Sequence, residues 1–240
     1  MKSAPLIRLK NVGCRFKVRH KMMRFKSYEA LKDVSFTLNR GEALGIIGRN
    51  GAGKSTLLKL IAGILQPDSG QVLLHGKPSI ALLTLQLGFS SELSGRYNAV
   101  LGAMLLGYTK QEALAKLERI IEFAELKQWI EEPMKTYSSG MKARLGFAVA
   151  MEMSPDVLLI DEVLGVGDAA FRAKSMKAMK EKFQAEQTIA FVSHAGSTVK
   201  ELCNRTVWIE NGVTKMEGPT DEVVDAYEEY LSTHDRSLEK

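Results

Sequence analysis

A chain of 240 residues, 45% of them apolar, holds enough material for one large globular domain or a domain with a lobe, and its formal charge of +5 is too mild to argue for nucleic-acid binding on its own. Its two cysteines, Cys14 and Cys203, show no Cys-x-x-Cys and no Cys/His ligand spacing, so they read as small apolar residues of a reduced, cytosolic chain. Residues 1–12 lack an apolar signal core, and no run approaches the roughly 20 apolar residues that span a bilayer, so any membrane-spanning part is expected on another chain.

In chain order, residues 6–18 and 34–47 read as strands. Leu6-Ile7-Arg8-Leu9 and Val34-Ser35-Phe36-Thr37-Leu38 alternate apolar and polar. Asn39-Arg40-Gly41-Glu42 is a turn signal, and the apolar strand 43–47 then runs into Gly48. Helical spacing follows over 54–64 (Leu57, Leu58, Ile61), stopped at 66–70 before a strand at 71–74. Residues 98–132 read as amphipathic helix, with apolar positions at Leu114, Leu117, Ile120, Ile121 and Ala124 and Pro133 as its close. Strand and helix alternate again at 157–160, 172–185 and 188–192. Residues 207–216 form a hairpin about Asn211-Gly212, and Thr220 is placed to cap a last helix over 221–231. The sum is an α/β fold with an antiparallel β section and a mainly helical insertion from about 90 to 155.

The chemistry concentrates at strand ends. GRNGAGKS, residues 48–55, has the spacing G-x-x-x-x-G-K-[ST] between a strand and a helix. Gly48, Arg49, Asn50, Gly51, Ala52 and Gly53 can wrap an oligophosphate with inward N–H groups, followed by Lys54, Ser55 and Thr56 at a positive helix start. Lys54 is expected to reach the β- and γ-phosphates, and Ser55 to hold Mg²⁺. The alternative, a glycine-rich turn without a ligand, fits the flanks poorly. Val157-Leu158-Leu159-Ile160 reads as a central parallel strand ending in Asp161, which can hold Mg²⁺ through water, and Glu162, which can orient or deprotonate an attacking water. Glu162 as a surface acid is the bland reading. His194 ends the strand 188–192, where open α/β sheets bind ligands, and is assigned to the γ-phosphate or the attacking water. A second Ser-Gly helix start, Tyr137-Ser138-Ser139-Gly140-Met141, stands apart from this set.

A phosphate loop, a helical insertion ending in a Ser-Gly helix start, a strand ending in Asp-Glu and a strand ending in His resemble, in that order and over almost the whole chain, the ATP-binding subunit of ABC transporters. The resemblance implies a phosphate-loop NTPase core with an inserted helical subdomain: one ABC ATPase domain over 1–240, its core at 1–88 and 156–240 and its helical subdomain at 89–155. It implies ATP and Mg²⁺ as cofactors and ATP hydrolysis coupled to transport. Ser138, Ser139, Gly140 and Met141 align with the family's signature, which serves the ATP of a second copy. Asp168 aligns with the aspartate of the loop after the catalytic glutamate. Phe16 is similar in placement to the aromatic that stacks on adenine, its other reading being a strand core residue. Gln86 is the one candidate for the glutamine near the metal, its other reading being a loop residue.

The departures narrow the resemblance. SSGMKAR (138–144), DEVLGVGDAAFRAK (161–174), ELSGRYN (92–98) and the ending GPTDEVVDAYEEYL are similar to the subgroup that exports O-antigen, capsule and teichoic acid. The implied setting is a homodimer with a separate integral membrane permease, docking near Gln86 and residues 88–110, on the cytoplasmic side of the inner membrane. The transported substrate is then a lipid-linked polysaccharide. Some O-antigen members carry a further carbohydrate-binding β-domain; the sequence stops soon after its last helix, so none is expected in it. A transporter for another substrate and a soluble ABC ATPase remain as alternatives. The basic run from Arg15 to Lys26 reads first as a solvated edge hairpin, next as a contact for anionic lipid heads or glycan phosphates, and last as a contact for nucleic acid.

Overall fold

The computed structural model describes residues 4–20, 24–83, 88–161, 168–185 and 187–238, with side chains except at 18–20, 24–26 and 234–238. In chain order these form β1 (Pro5–His20), β2 (Arg24–Asn39), β3 (Ala43–Ile47), α1 (Lys54–Ile61), β4 (Ser69–Leu74), β5 (Ile80–Leu83), α2 (Gly95–Leu105) and α3 (Lys110–Ala124). A single helical turn (Met134–Thr136) leads to α4 (Ser139–Met153), β6 (Val157–Asp161), α5 (Ala169–Gln184), β7 (Thr188–Val192), α6 (Gly196–Leu202), β8 (Arg205–Glu210), β9 (Val213–Pro219) and α7 (Thr220–Leu238). They gather into two compact units, Met1–Pro78 with Glu186–Lys240, and Ser79–Ala185.

The first unit is built on strands in the order β4-β1-β2-β9-β8-β3-β7. At its centre β3 pairs in parallel with both β7 and β8, and β3 and β7 are buried almost throughout. Runs such as Ile-Ala-Phe-Val survive burial on both faces because they bring no polar side chain with them. The other end is antiparallel, with β1 paired to β2 from Pro5↔Asn39 to His20↔Arg24 and to β4 on its far side. The β8–β9 turn uses Asn211 at φ 51° and Gly212 at φ 78°, the two positive angles a two-residue hairpin of this hand requires. Trp208 packs edge-on to Tyr227 and Tyr230, fastening α7 to the hairpin, and the Lys215 ammonium lies 4.1 Å from the Trp208 ring centre. The hydroxyl of Thr220, at the start of α7, shares a buried hydrogen bond with Thr206 at 2.9 Å.

In the second unit β5 and β6 pair in parallel over four residues. The helical insertion differs from the expected single stretch. It breaks into α2 and α3, because Gly107 turns at φ 91° and Thr109 starts a new helix. Thr109 Oγ1 accepts from the Glu112 N–H at 3.2 Å, and the Glu112 carboxylate accepts from the Thr109 N–H at 2.7 Å. The chain leaves α3 at Glu125 (φ 58°), well before Pro133. Phe123, Phe147 and Phe171 meet with ring centres 5.9 to 6.1 Å apart, so α4 and α5 share one aromatic core with α3.

Half-buried charge ties three strands of the first unit together. Arg205 donates to Glu42 through Nε at 2.5 Å and Nη2 at 2.8 Å, and also to Glu217 and the Thr37 carbonyl. Glu42 accepts in addition from the Asn39 N–H at 2.8 Å. Arg205→Ala leaves that carboxylate short of its charged partner, and urea unfolding should show a loss of about 2 kcal/mol.

Candidate functional site

The phosphate loop is shaped by its surroundings in the first unit. A Cβ on Gly48 would lie 2.0 Å from the Ile209 carbonyl oxygen, and one on Gly53 2.5 Å from that of Ala30. Gly53 also stands at φ 99°, just before α1, so only glycine fits there. Lys54 is 6% exposed; its ammonium donates to the carbonyls of Gly48 at 2.7 Å and Arg49 at 2.9 Å. Arg49, Asn50, Gly51 and Ser55 are exposed, whereas Ala52 is buried. A Cβ on Gly51 would meet no described atom within 4 Å. This is a bare backbone surface beside a buried cation and a helix start, and it fits an oligophosphate.

Neighbouring strands bring two further expected residues into this unit. The parallel register Ile46↔Val192 sets Gly48 and His194, each two residues further on, at the same strand edge. His194 is exposed there. Phe16 pairs across strands with Tyr28, and both rings are exposed. The strand-core reading of Phe16 therefore fails, because the ring is not in the core. Tyr28 also donates its hydroxyl to the Gly51 carbonyl at 3.1 Å.

The second unit carries the other set. Tyr137 is buried and donates to the Trp129 carbonyl at 2.6 Å, and burial pushes its phenol up to about 12. Gly95 makes room for it: a Cβ there would sit 2.1 Å from the Tyr137 hydroxyl. Ser138 caps α4, its Oγ accepting from the Met141 N–H at 3.2 Å. Ser138 and Ser139 are exposed. Among the described residues, the only atom within 4 Å of a Cβ placed on Gly140 is Ser138 Oγ, at 3.8 Å. A glycine in a first helical turn costs up to about 1 kcal/mol against alanine, and nothing described in this chain calls for one.

Asp168 belongs to the same cluster. It caps α5 by accepting from the Phe171 N–H at 2.9 Å, and Arg144 of α4 donates to its second oxygen. The Phe171 N–H foremost, and Arg144 with it, hold the Asp168 carboxyl below the usual carboxylate range. Arg144 also lies 4.9 Å over the Phe171 ring. Asp161 is the last residue of β6 and is half-buried. Glu162 and Gln86 lie outside the described residues. Among the described residues no cluster of three or more His, Cys, Asp or Glu side chains could hold a metal by itself.

Comparison with known proteins agrees with this geometry. The family model for ABC transporters matches residues 31–165, more than half of the chain. The chain belongs to the ABC transporter family. An O-antigen export system ATP-binding protein, RfbB, of Klebsiella pneumoniae is 46% identical over 88% of this chain and 85% of its own length. The ABC transporter protein AbcA of Aeromonas salmonicida is 45% identical over 86% of this chain and 67% of its own. A teichoic acids export ATP-binding protein, TagH, of Staphylococcus epidermidis is 39% identical over 87% of this chain and 78% of its own. Among solved structures, an ATP-binding subunit of an ABC transporter superposes with TM-score 0.75 at 24% identity, covering 92% of this chain and 93% of that one. A dimeric ATP-binding cassette in a post-hydrolysis state with ADP and phosphate gives TM-score 0.74 at 21% identity, covering 90% and 99%. The fold is that of the ABC ATPase cassettes.

Within this ABC cassette, three residues escaped the sequence reading. Gly95 was legible only as part of ELSGRYN; its purpose, space for Tyr137, depends on a contact 42 residues away along the chain. Arg144 lies within SSGMKAR, where nothing local points to its partner Asp168. Tyr28 gave no signal, because its bond to Gly51 and its pairing with Phe16 are both non-local.

The lowered carboxyl of Asp168 sets a pH signature. Its contribution is present above the ordinary aspartate range near pH 4 and is lost as pH falls through its own lower value. Asp168→Asn should therefore lower thermal stability at neutral pH, and the gap to the parent should close progressively below about pH 4. A gap that widens with acid would contradict the assigned bonds.

Proposed function

We propose that this chain is the ATP-binding and ATP-hydrolysing subunit of a transporter that exports a lipid-linked polysaccharide across the cytoplasmic membrane. It would work as a homodimer bound to a separate integral membrane permease, at the cytoplasmic face. The observation that carries the dimeric reading is Gly140: a glycine in the first turn of a capped helix, half-buried, where a Cβ would meet no described side chain nearer than Ser138 Oγ at 3.8 Å. An ATP seated on residues 48–56 of one copy would turn its γ-phosphate outward, and such a helix start is an anion site waiting for it. The substrate class rests on the printed names of the RfbB and TagH relatives.

Each residue then has a task. The N–H groups of 48–56 and the Lys54 ammonium hold the phosphates. Ser55, with Asp161 through water and Gln86, would hold Mg²⁺, which neutralises phosphate charge when bound. Glu162 orients or deprotonates the attacking water. His194 contacts the γ-phosphate or that water. Ser138, Ser139, Gly140, Met141 and Asp168 serve the neighbour's ATP, and closing the two copies would exclude water and strengthen every dipole directed at the phosphates. Residues 89–155 are the helical subdomain that passes the movement on. On α2, Tyr97, Leu101, Met104 and Leu105 are exposed at helical spacing, an apolar stripe of the kind a permease covers. Among the described residues no helix is long and apolar enough to cross a membrane.

Two variants test the ATPase reading together. Gly140→Val has room within the chain, so it should fold and bind ATP normally yet lose about 10²–10³ in turnover. Glu162→Gln should bind Mg-ATP, accumulate as a dimer in size-exclusion chromatography and hydrolyse very slowly. Near-normal turnover of either variant removes the role given to that residue. For the substrate, deletion of the gene should leave polymer inside the cell and deplete it at the surface; unchanged surface glycan would favour a different cargo for the same ATPase.

A further inference from the structure

The sequence reading gave the nucleotide base one aromatic, Phe16. The fold supplies another. β1 and β2 pair with Phe16 directly opposite Tyr28, so both side chains leave the same face of the ribbon. The adjacent pairs, Arg15↔Glu29 and Lys17↔Ser27, alternate to the other face. Phe16 is 36% and Tyr28 49% exposed, so neither ring is there to fill a core. Two aromatics side by side in water are an unusual use of a strand unless something planar is laid on them.

Tyr28 is also connected to the phosphate loop. Its hydroxyl donates to the carbonyl of Gly51 at 3.1 Å. On the other side of that same peptide plane, the Ala52 N–H donates to the Arg49 carbonyl at 3.1 Å. The peptide joining Gly51 and Ala52 is therefore held from both ends, one by the loop itself and one by Tyr28. Gly51 stands at φ 82°, and a Cβ there would meet no described atom within 4 Å. Tyr28 thus touches two regions at once: the exposed aromatic face and the turn of the loop.

We propose that Tyr28 is a nucleotide-contacting and loop-positioning residue. Its ring widens the Phe16 face into a two-aromatic platform for the base, and its hydroxyl ties that platform to the phosphate loop through Gly51. Base and triphosphate are then read by one connected element, so the position of one sets the orientation of the other. The proposal rests on the reading that Phe16 faces the base, and its test separates the two.

The purified full-length chain is titrated calorimetrically with Mg-ATP and, as a base-free probe, with Mg-tripolyphosphate. Tyr28→Phe removes only the hydroxyl. It should weaken both probes by the same factor, on the order of 3-fold for one neutral hydrogen bond. Tyr28→Ala removes the ring as well. It should weaken ATP by a further factor on the order of 10-fold, the scale of base–aromatic stacking, and leave tripolyphosphate where Tyr28→Phe left it. If both variants bind ATP alike, the ring does not touch the base; if Tyr28→Phe binds both probes like the parent, the tether is not used. Phe16→Ala runs in parallel: unchanged ATP affinity there, with a loss at Tyr28→Ala, overturns the role of Phe16 and leaves Tyr28 standing. Loss at Phe16→Ala alone does the reverse. Thermal denaturation of each variant confirms that a half-exposed ring has been removed from a folded chain.

Discussion

A buried ammonium bonded to two loop carbonyls is the constraint around which the first unit is arranged. Lys54 is only 6% exposed, and the Gly48 and Arg49 carbonyls accept hydrogen bonds from its ammonium. Those carbonyls are committed to the lysine. The Ile209 and Ala30 carbonyls crowd the loop from outside and leave no room for side chains at Gly48 and Gly53. The loop is thus shaped by backbone crowding and by the Lys54 bonds, and the Tyr28 hydroxyl adds a further bond at Gly51.

The second unit reaches a comparable result by other means. Tyr137 is driven into place by burial and by the Trp129 carbonyl, with Gly95 leaving the space, and the residue after it is the cap of α4. Six residues on from that cap, Arg144 of α4 joins Asp168 at the start of α5 while lying over the Phe171 ring. One guanidinium thus joins the second turn of α4 to the start of α5. That ion pair joins the two elements proposed to face a neighbouring copy.

The parts of this protein legible in the sequence were those that depend on short range. Lys54 and Ser55 follow from spacing, Asp161 and His194 from apolar strands that end in a polar residue, and the Asn211–Gly212 turn from two residues alone. The helical insertion was recognised as helical but not as two helices, since its apolar spacing runs on through Gly107 and hides the break that Thr109 and Glu112 make. Tyr28 and Gly95 were invisible for a different reason. Each is chosen by a partner far away in sequence, and a cross-strand pair or a cleared volume leaves no local pattern. Glu162 follows from its place after Asp161 and Gln86 from resemblance, and both lie outside the described residues.

Gly140 has a consequence for how this chain responds to selection. An alanine would fit at that position against every described neighbour and would favour the helix by up to about 1 kcal/mol. A screen that rewarded only thermostability would accept it as an improvement and repeat it in every lineage. If Gly140 serves a neighbour's ATP as proposed, a screen that rewarded turnover would remove it. On that proposed role, position 140 is where the interests of the folded monomer and of the assembled machine diverge, and where an engineered stabilisation would show its cost.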